Sequence, residues 1–182
     1  AGAIYVVRDP RNVVISAANH FNTSIEESVS RLLSFTNLGG DVNDTKVANR
    51  IITHLTTWSM HYNSWKILKK KNRYLLIKYE DLTKNTEEVL IRILDFIYNL
   101  INQKYVLDKL KIKNILKTTS FDYVQNLEKE GNFPEKAKHG EKEGKTFFKY
   151  GPKENKKEIL DKVLKEKIEN QLKRDMTELG YL

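Results

Sequence analysis

Apolar and polar residues follow two patterns along this chain, and together they predict an α/β architecture. Residues 4–7 and 74–79 are almost continuously apolar, as is typical of parallel strands covered on both faces. Elsewhere apolar residues recur at helical spacing and predict helices, over 11–21, 24–38, 46–71, 84–101, near 104–111 and over 154–176. Because strands separated by helices form a parallel sheet flanked by helices, we expect an α/β fold in a single domain, residues 1–182.

Residues 122–157 lack this periodicity. The segment is polar and rich in Lys, Glu and Gly, with isolated aromatic residues such as Phe133 and Phe148. This pattern is typical of a long surface loop rather than a packed layer. The sequence therefore predicts one extended loop between the last two helical regions.

Composition limits the kinds of protein that the chain can be. Lys and Arg number 32 against 24 Asp and Glu, for a net charge of +8 in 182 residues without cysteine. The excess charge is explained either by solvated helix faces or by a surface that attracts a polyanionic nucleotide or nucleic acid. The absence of cysteine excludes disulfides and thiolate metal sites, and no apolar run approaches the roughly 20 residues of a membrane span. We therefore expect a cytoplasmic protein without a membrane partner.

The turn after the first apolar run combines groups that favour anion binding. Pro10 lacks a backbone N–H, Asn12 is a candidate cap for the following helix, and that helix start directs N–H groups and positive dipole outward. Arg8 leaves the strand at this point, and Ser16 can reach the same place. The sequence therefore predicts a phosphate site here.

Two further positions carry aromatic groups where a nucleotide base could bind. Tyr79 ends the second apolar run, at the carboxyl edge where open parallel sheets place ligands. Alternatively its hydroxyl lies in water while Asp81 caps the next helix. In Thr119-Ser120-Phe121, an exposed Phe121 could stack on adenine while Thr119 bonds its edge, the alternative being that Phe121 is a core residue.

A glycine beside basic residues forms a third candidate site. Gly151 permits close approach of backbone amides to a phosphate, Lys149 would neutralise its charge, and Tyr150 can donate one hydrogen bond. Residues 138–140 offer a similar basic-basic-Gly pattern. The distance in sequence from Phe121 to Lys149 favours the first of these two candidates.

Trp58, His61 and Trp65 share one helical face, where we expect His61 to be a satisfied core histidine rather than a base. No His, Asp and Glu spacing supports a metal site, and no Ser-His-Asp arrangement is visible in the sequence. We therefore assign no catalytic residue and no metal from the sequence.

In their order along residues 4–157, these motifs resemble the sulfotransferases that use 3'-phosphoadenosine 5'-phosphosulfate (PAPS). The matching elements are Arg-Asp-Pro-Arg…Ser, Trp-x-x-His-x-x-x-Trp, Tyr-Glu-Asp-Leu, and Thr-Ser-Phe followed by the glycine loop. The loop departs from the family pattern because Lys149 replaces Arg and Tyr150 replaces Lys, so the bidentate guanidinium fork is lost.

The resemblance implies a P-loop-like three-layer fold, truncated at the amino end, that transfers a sulfuryl group from PAPS to a hydroxyl or amine of a small-molecule acceptor. It assigns cofactor binding to Arg8, Ser16, Tyr79, Thr119, Phe121, Lys149, Tyr150 and Gly151. Residues 122–157 would cover the nucleotide. No metal cofactor and no nucleic-acid partner are implied, and oligomeric assembly is left open.

In the family, the 5'-phosphosulfate loop and the histidine base lie before the position of Arg8. We therefore expect that this chain corresponds to the carboxyl-terminal two-thirds of an enzyme and is inactive alone. Two alternatives remain open: a catalytically inactive nucleotide-binding module, and a basic nucleic-acid-binding domain.

Overall fold

A computed structural model describes residues 1–38, 53–133, 148, 151 and 158–182. Eight α-helices, four strands and one 3-10 helix lie in these ranges. In chain order they are β1 (Ala3–Val7), α1 (Pro10–Phe21), α2 (Ile25–Leu33), β2 (Thr36–Leu38), β3 (Thr53–Leu55), α3 (Trp58–Lys66), the 3-10 helix (Ile67–Lys71), β4 (Tyr74–Lys78), α4 (Tyr79–Lys84), α5 (Thr86–Leu100), α6 (Lys109–Thr118), α7 (Phe121–Lys129) and α8 (Lys162–Glu178).

The two predicted strands pair with each other in parallel. β1 and β4 align from Ala3 opposite Tyr74 to Val7 opposite Lys78. Parallel neighbours need a long crossover connection, which helices supply here. Because the strands run in the same direction, both carboxyl ends lie at one edge of the sheet, and the α/β prediction is confirmed.

The chain divides into two compact units. The first comprises Ala1–Val7 and Arg73–Glu154, and the second comprises Arg8–Asn72 and Asn155–Leu182. Each unit is therefore built from two segments that are distant in sequence. The single-domain organisation stays a prediction.

The second unit contains a hydrophobic core formed by three helices. The core is contributed by α1, α2, α8 and the turn before α8, through Val14, Ile15, Val29, Leu160, Ile168, Leu172 and Met176. In α8 the three core residues recur at a spacing of four, which is the helical periodicity on which the prediction of this helix rested. α8 begins at Lys162, later than the predicted residue 154.

The predicted helices over 24–38 and 46–71 are wrong in part. α2 ends at Leu33, and Thr36–Leu38 form β2, which pairs antiparallel with β3 at Thr53–Leu55. α3 begins only at Trp58, because the Thr57 hydroxyl caps it by accepting a 3.1 Å hydrogen bond from the Met60 N–H. Phe35 has helical spacing but is 58% exposed, so it does not extend the buried face. Residues 39–52 lie outside the described residues.

The predicted loop over 122–157 is wrong over residues 122–129, which belong to α7 (Phe121–Lys129), and its residues 134–147, 149–150 and 152–157, with the candidate 138–140, lie outside the described residues. The Ser120 hydroxyl caps this helix by accepting from the Tyr123 N–H at 3.3 Å. α6 is also displaced from the predicted 104–111, since the Asp108 carboxylate caps its start at Lys109. α5, over Thr86–Leu100, confirms the helix predicted near 84–101.

Candidate functional site

The start of α1 is capped by Asp9, not by Asn12 as predicted. Asp9 Oδ1 accepts from the Arg11 N–H at 3.0 Å, and the Asp9 carbonyl accepts from the N–H groups of Asn12 and Val13 at 2.9 and 3.1 Å. Pro10 has no N–H to offer. The first amides of this helix are therefore already bonded to Asp9, and the expected anion site made of open helix amides is wrong.

Arg8 and Ser16 do converge as predicted, through their side chains. Arg8 Nη1 donates to Ser16 Oγ at 3.4 Å, and both residues are partly buried. Arg8 directly follows β1, whereas Ser16 lies almost two turns into α1, so the strand-turn-helix geometry brings together residues eight positions apart. Any anion held here is contacted by a guanidinium and a hydroxyl rather than by helix amides.

Arg11, the second arginine of the turn, has a structural role. Its guanidinium donates from Nε and Nη2 to the Asp9 carboxylate, from Nη1 to Glu169, and from Nη2 to the Tyr181 carbonyl at 2.9 Å. The side chain is 6% exposed. Hydrogen bonding to Asp9, reinforced by Glu169, raises the pKa of Arg11. The residue ties α1 to α8 and the carboxyl-terminal segment, a role that sequence spacing alone did not indicate.

Thr119 and Ser120 use their hydroxyls differently at the junction of α6 and α7. Thr119 Oγ1 donates to the Ile115 carbonyl at 2.7 Å and is exposed. Ser120 Oγ donates to the Lys117 carbonyl at 2.9 Å while it caps α7. Because the Thr119 hydrogen is engaged, the hydroxyl can still accept a hydrogen bond from a ligand.

Phe121 and Gly151 lie together, although they are distant in sequence. A Cβ added to Gly151 would be 3.8 Å from Cε1 of Phe121, so the ring lies near Gly151, with space for one methyl group between them. Phe148 packs edge-to-face on the same ring, with centroids 6.1 Å apart at 84°. Phe121 is the first residue of α7 and partly buried, so the prediction of an exposed loop position is wrong. Lys149 and Tyr150, which lie between Phe148 and Gly151 in the sequence, are outside the described residues.

Two α7 side chains that the sequence interpretation did not single out hold the backbone of Phe148. Gln125 Nε2 donates to the Phe148 carbonyl at 2.9 Å, and the Phe148 N–H donates to Glu128 Oε2 at 2.9 Å. Glu128 is only 5% exposed. Phe121, Gln125 and Glu128 stand at helical spacing, and this pattern was the available signal for α7.

Tyr79 follows β4 directly and is the first residue of α4, partly buried. Its position at the carboxyl edge agrees with the prediction. Asp81 lies in the first turn of α4, and the residue that precedes α5 is Asn85, so the alternative in which Asp81 caps the next helix is wrong. Arg8 and Ser16 belong to the second unit, whereas Tyr79, Thr119, Phe121 and Gly151 belong to the first.

The sequence matches the family described as the sulfotransferase domain over residues 2–180. The chain belongs to this family. No curated protein matches this sulfotransferase domain significantly in sequence.

Solved structures show the same fold. A retinol dehydratase in complex with androsterone and the inactive cofactor PAP has a TM-score of 0.64 at 17% identity, over 96% of this chain and 47% of that one. Mouse sulfotransferase SULT7A1 complexed with PAP has a TM-score of 0.64 at 16% identity, over 97% of this chain and 59% of that one. The sulfotransferase domain thus spans about half the length of the structures it matches.

The Trp-x-x-His-x-x-x-Trp helix of this sulfotransferase domain differs from expectation at its histidine. His61 is exposed rather than a core residue, and the buried position is Tyr62, 2% exposed. Trp58 packs against Tyr62 with ring centroids 6.2 Å apart. The Tyr62 hydroxyl donates to Glu178 Oε1 at 3.1 Å and thereby links α3 to α8.

Within the described ranges, no helix of the sulfotransferase domain combines the length and apolar content that a membrane crossing needs. The same ranges contain no group of three or more His, Cys, Asp or Glu side chains arranged to hold a metal ion.

Proposed function

We propose that this sulfotransferase domain is part of an enzyme that transfers the sulfuryl group of PAPS to a hydroxyl or amine of a small-molecule acceptor. The family and the PAP-bound relatives support this activity. The observation that carries the proposal is the meeting of Phe121 with Gly151, two residues of separate motifs whose predicted partners are adenine and phosphate. PAPS, when bound, supplies the activated sulfuryl group.

The residues at the end of β1 fit a 3'-phosphate. A phosphate dianion needs a cation and directional donors, and Arg8 Nη1 lies 3.4 Å from the Ser16 hydroxyl. The two groups can therefore bond neighbouring oxygens of one phosphate. We assign them to holding and orienting the nucleotide, because neither is a nucleophile or a base for the acceptor.

The junction of α6 and α7 fits an adenine base. Phe121 offers an aromatic ring, and the exposed Thr119 hydroxyl retains acceptor capacity that matches the exocyclic amine of adenine. Gly151 has no side chain at this place, so backbone amides can approach a ligand closely. Tyr79, Lys149 and Tyr150 complete the proposed cofactor set on the strength of their sequence motifs.

Calorimetric titration with PAP, with 5'-AMP as the reference ligand, tests the proposal. We expect PAP to bind at least about tenfold more tightly than 5'-AMP, because charge-assisted hydrogen bonds to the extra phosphate contribute about 1.5–3 kcal/mol each. Arg8→Ala should remove that advantage. Arg31→Ala is the matched control, since Arg31 contacts Glu27 in an exposed helical i,i+4 pair and the Phe21 ring, neither of which belongs to the proposed cofactor set, and it should bind PAP like the wild type.

Equal affinities for PAP and 5'-AMP in the wild type would refute the 3'-phosphate assignment. A single-stranded oligonucleotide serves as a third ligand. Binding that exceeds the affinity for PAP and weakens steeply with salt would instead favour the basic nucleic-acid-binding alternative, given the net charge of +8.

A further inference from the structure

We infer that Gln125 and Glu128 are positioning residues, which fix the backbone of Phe148 on α7 and thereby keep Gly151 in place against Phe121. The inference deepens the proposed function and rests on it, because it concerns the nucleotide side of the same site. We call Gln125, Glu128 and the Phe148 peptide groups the α7 clamp.

The α7 clamp engages both polar groups of one residue. Gln125 Nε2 donates to the Phe148 carbonyl and Glu128 Oε2 accepts from the Phe148 N–H, each at 2.9 Å. The side-chain types match these roles, because an amide nitrogen can donate and a carboxylate can only accept. Three residues apart on a helix, the two side chains share one face. Both backbone groups of Phe148, the N–H and the carbonyl, are thus hydrogen-bonded, as they would be to a neighbouring β-strand.

The burial of Glu128 argues that the contact has a function. A carboxylate that is 5% exposed loses most of its hydration, and this loss is unfavourable unless hydrogen bonds replace the water. An apolar side chain at this position would pack without that cost. It could not, however, accept the Phe148 N–H. We therefore interpret Glu128 as a residue that fixes the position of the Phe148 backbone at a cost in folding stability.

Aromatic contacts also hold the Phe148 side chain. The Phe148 ring contacts Phe121 edge-to-face and also Phe133, the latter with centroids 4.9 Å apart at 72°. Gly151 follows Phe148 by three residues in sequence and lies near the same Phe121 ring. The α7 clamp therefore makes the proposed adenine-binding ring and the proposed phosphate-binding glycine one preorganised unit, so that less conformational entropy is lost when a nucleotide binds.

The test uses Gln125→Ala, Glu128→Gln and Glu128→Ala in the whole chain, with Asn126→Ala as the matched control. Asn126 is an exposed amide on the same helix, outside the α7 clamp. The measurements are amide hydrogen exchange of Phe148 by NMR and calorimetric affinities for PAP and 5'-AMP. The exchange measurement needs no ligand, so it decides the α7 clamp even if PAP fails to bind and the proposed function falls.

We expect Glu128→Ala to speed exchange at Phe148, because it removes the acceptor of that N–H. Both Gln125→Ala and Glu128→Ala should lower PAP affinity about tenfold, the equivalent of one hydrogen bond. The affinity for 5'-AMP should be unchanged, because Phe121, the proposed contact for adenine, keeps its place on α7. Glu128→Gln should retain most of the affinity, since an amide oxygen still accepts the N–H. Asn126→Ala should leave all three quantities unchanged.

Unchanged exchange at Phe148 in Glu128→Ala, which removes the acceptor of that N–H, would overturn the α7 clamp. Equal losses of PAP and 5'-AMP affinity would overturn its positioning role, because they indicate general damage to the fold. If Glu128→Ala does not fold, Glu128→Gln replaces it: exchange at Phe148 should then be faster than in the wild type, because a neutral amide oxygen accepts more weakly than a carboxylate, and unchanged exchange would overturn the α7 clamp.

Discussion

Arg8 and Arg11 occupy one turn yet contact different partners. Arg11 lies in a buried network with Asp9 and Glu169, and its remaining contact is the Tyr181 carbonyl. Arg8 points toward a hydroxyl on the first helix of the same unit. The motif Arg-Asp-Pro-Arg therefore combines a proposed ligand contact with a structural ion pair. Arg11 stabilises the turn next to which Arg8 lies.

The structural role of Arg11 leads to a stability prediction. Arg11→Ala would remove the guanidinium that bonds the Asp9 carboxylate, which is 6% exposed. We expect a loss of about 3–5 kcal/mol in the free energy of unfolding, the usual effect of removing one member of a buried pair. Urea unfolding measures it. Arg31→Ala, which breaks an exposed i,i+4 pair with Glu27, should cost under about 1 kcal/mol. Equal losses in the two variants would contradict the structural role of Arg11.

At the scale of elements, α7 decides most about the candidate site. It begins with Phe121, carries the two α7 clamp residues, and occupies what looked like a loop. Its polar composition hid the helix, because Glu128 and Gln125 stand at inward positions where apolar residues are usual. The inward polar residues that concealed the helix are also the ones that hold Phe148.

Neighbouring hydroxyls at the start of α7 are expected to have separable effects. Ser120→Ala removes the helix cap and should lower the free energy of unfolding by about 1 kcal/mol. Thr119→Ala should change stability by less than about 0.5 kcal/mol, since the exposed residue only bonds its own helix, but it should weaken PAP binding. Thermal unfolding and calorimetry measure the two effects. A destabilised Thr119→Ala that still binds PAP normally would contradict both assignments.

The contact between α3 and α8 predicts a pH dependence. Glu178 accepts hydrogen bonds from Lys66 and Tyr62, and the contact with Lys66 is the main reason that the pKa of Glu178 lies below its ordinary value of 4.5. A lowered folded-state pKa contributes stability above the unfolded pKa, and this stability is lost as the pH falls through the folded value. The wild type should therefore have a higher free energy of unfolding than Glu178→Gln near pH 6, and this difference should disappear as the pH falls to about 3.

Urea midpoints at several pH values measure this difference. Glu166→Gln is the control, because Glu166 forms only an exposed contact of 3.9 Å with Lys162, and it should follow the pH profile of the wild type. A difference between wild type and Glu178→Gln that stays constant with pH would contradict the prediction.

At the scale of the whole molecule, the open question is whether the two units unfold together. Each contains two separate chain segments, and the chain passes between them at Val7–Arg8, Asn72–Arg73 and Glu154–Asn155. Neither unit can therefore fold from one continuous stretch. A length of 182 residues is typical of one domain, and a single cooperative domain stays our prediction.

The two tryptophans, Trp58 and Trp65, lie in the second unit and report on its unfolding. Val89→Ala changes a residue of the first unit that is 1% exposed, and it should cost about 1–3 kcal/mol. If the domain is cooperative, this variant lowers the urea midpoint measured by tryptophan fluorescence. Val106→Ala, at a position 94% exposed in the same unit, should not. A fluorescence midpoint unaffected by Val89→Ala would indicate independent units.

The sequence by itself determined the features that depend on neighbouring residues. The parallel strands, α1, α5 and α8 follow from local periodicity, and Arg8 meets Ser16 because one strand, one turn and one helix fix their distance. Errors arose where a local pattern was ambiguous. Asp9 and Asn12 are both good caps, and only the backbone geometry selected Asp9.

Tertiary structure decided the contacts between distant segments. Arg11 became structural because α8 brings Glu169 to it, and Phe121 meets Gly151 because Gln125 and Glu128 capture Phe148. The spacing of residues 121–151 does not predict that Gln125 and Glu128 bond the Phe148 backbone. The sequence alone does not show whether a glutamate is buried or exposed. Burial and long-range hydrogen bonds arise only when the chain folds. These two properties distinguish the residues that hold this candidate site together from those that are proposed to contact a ligand.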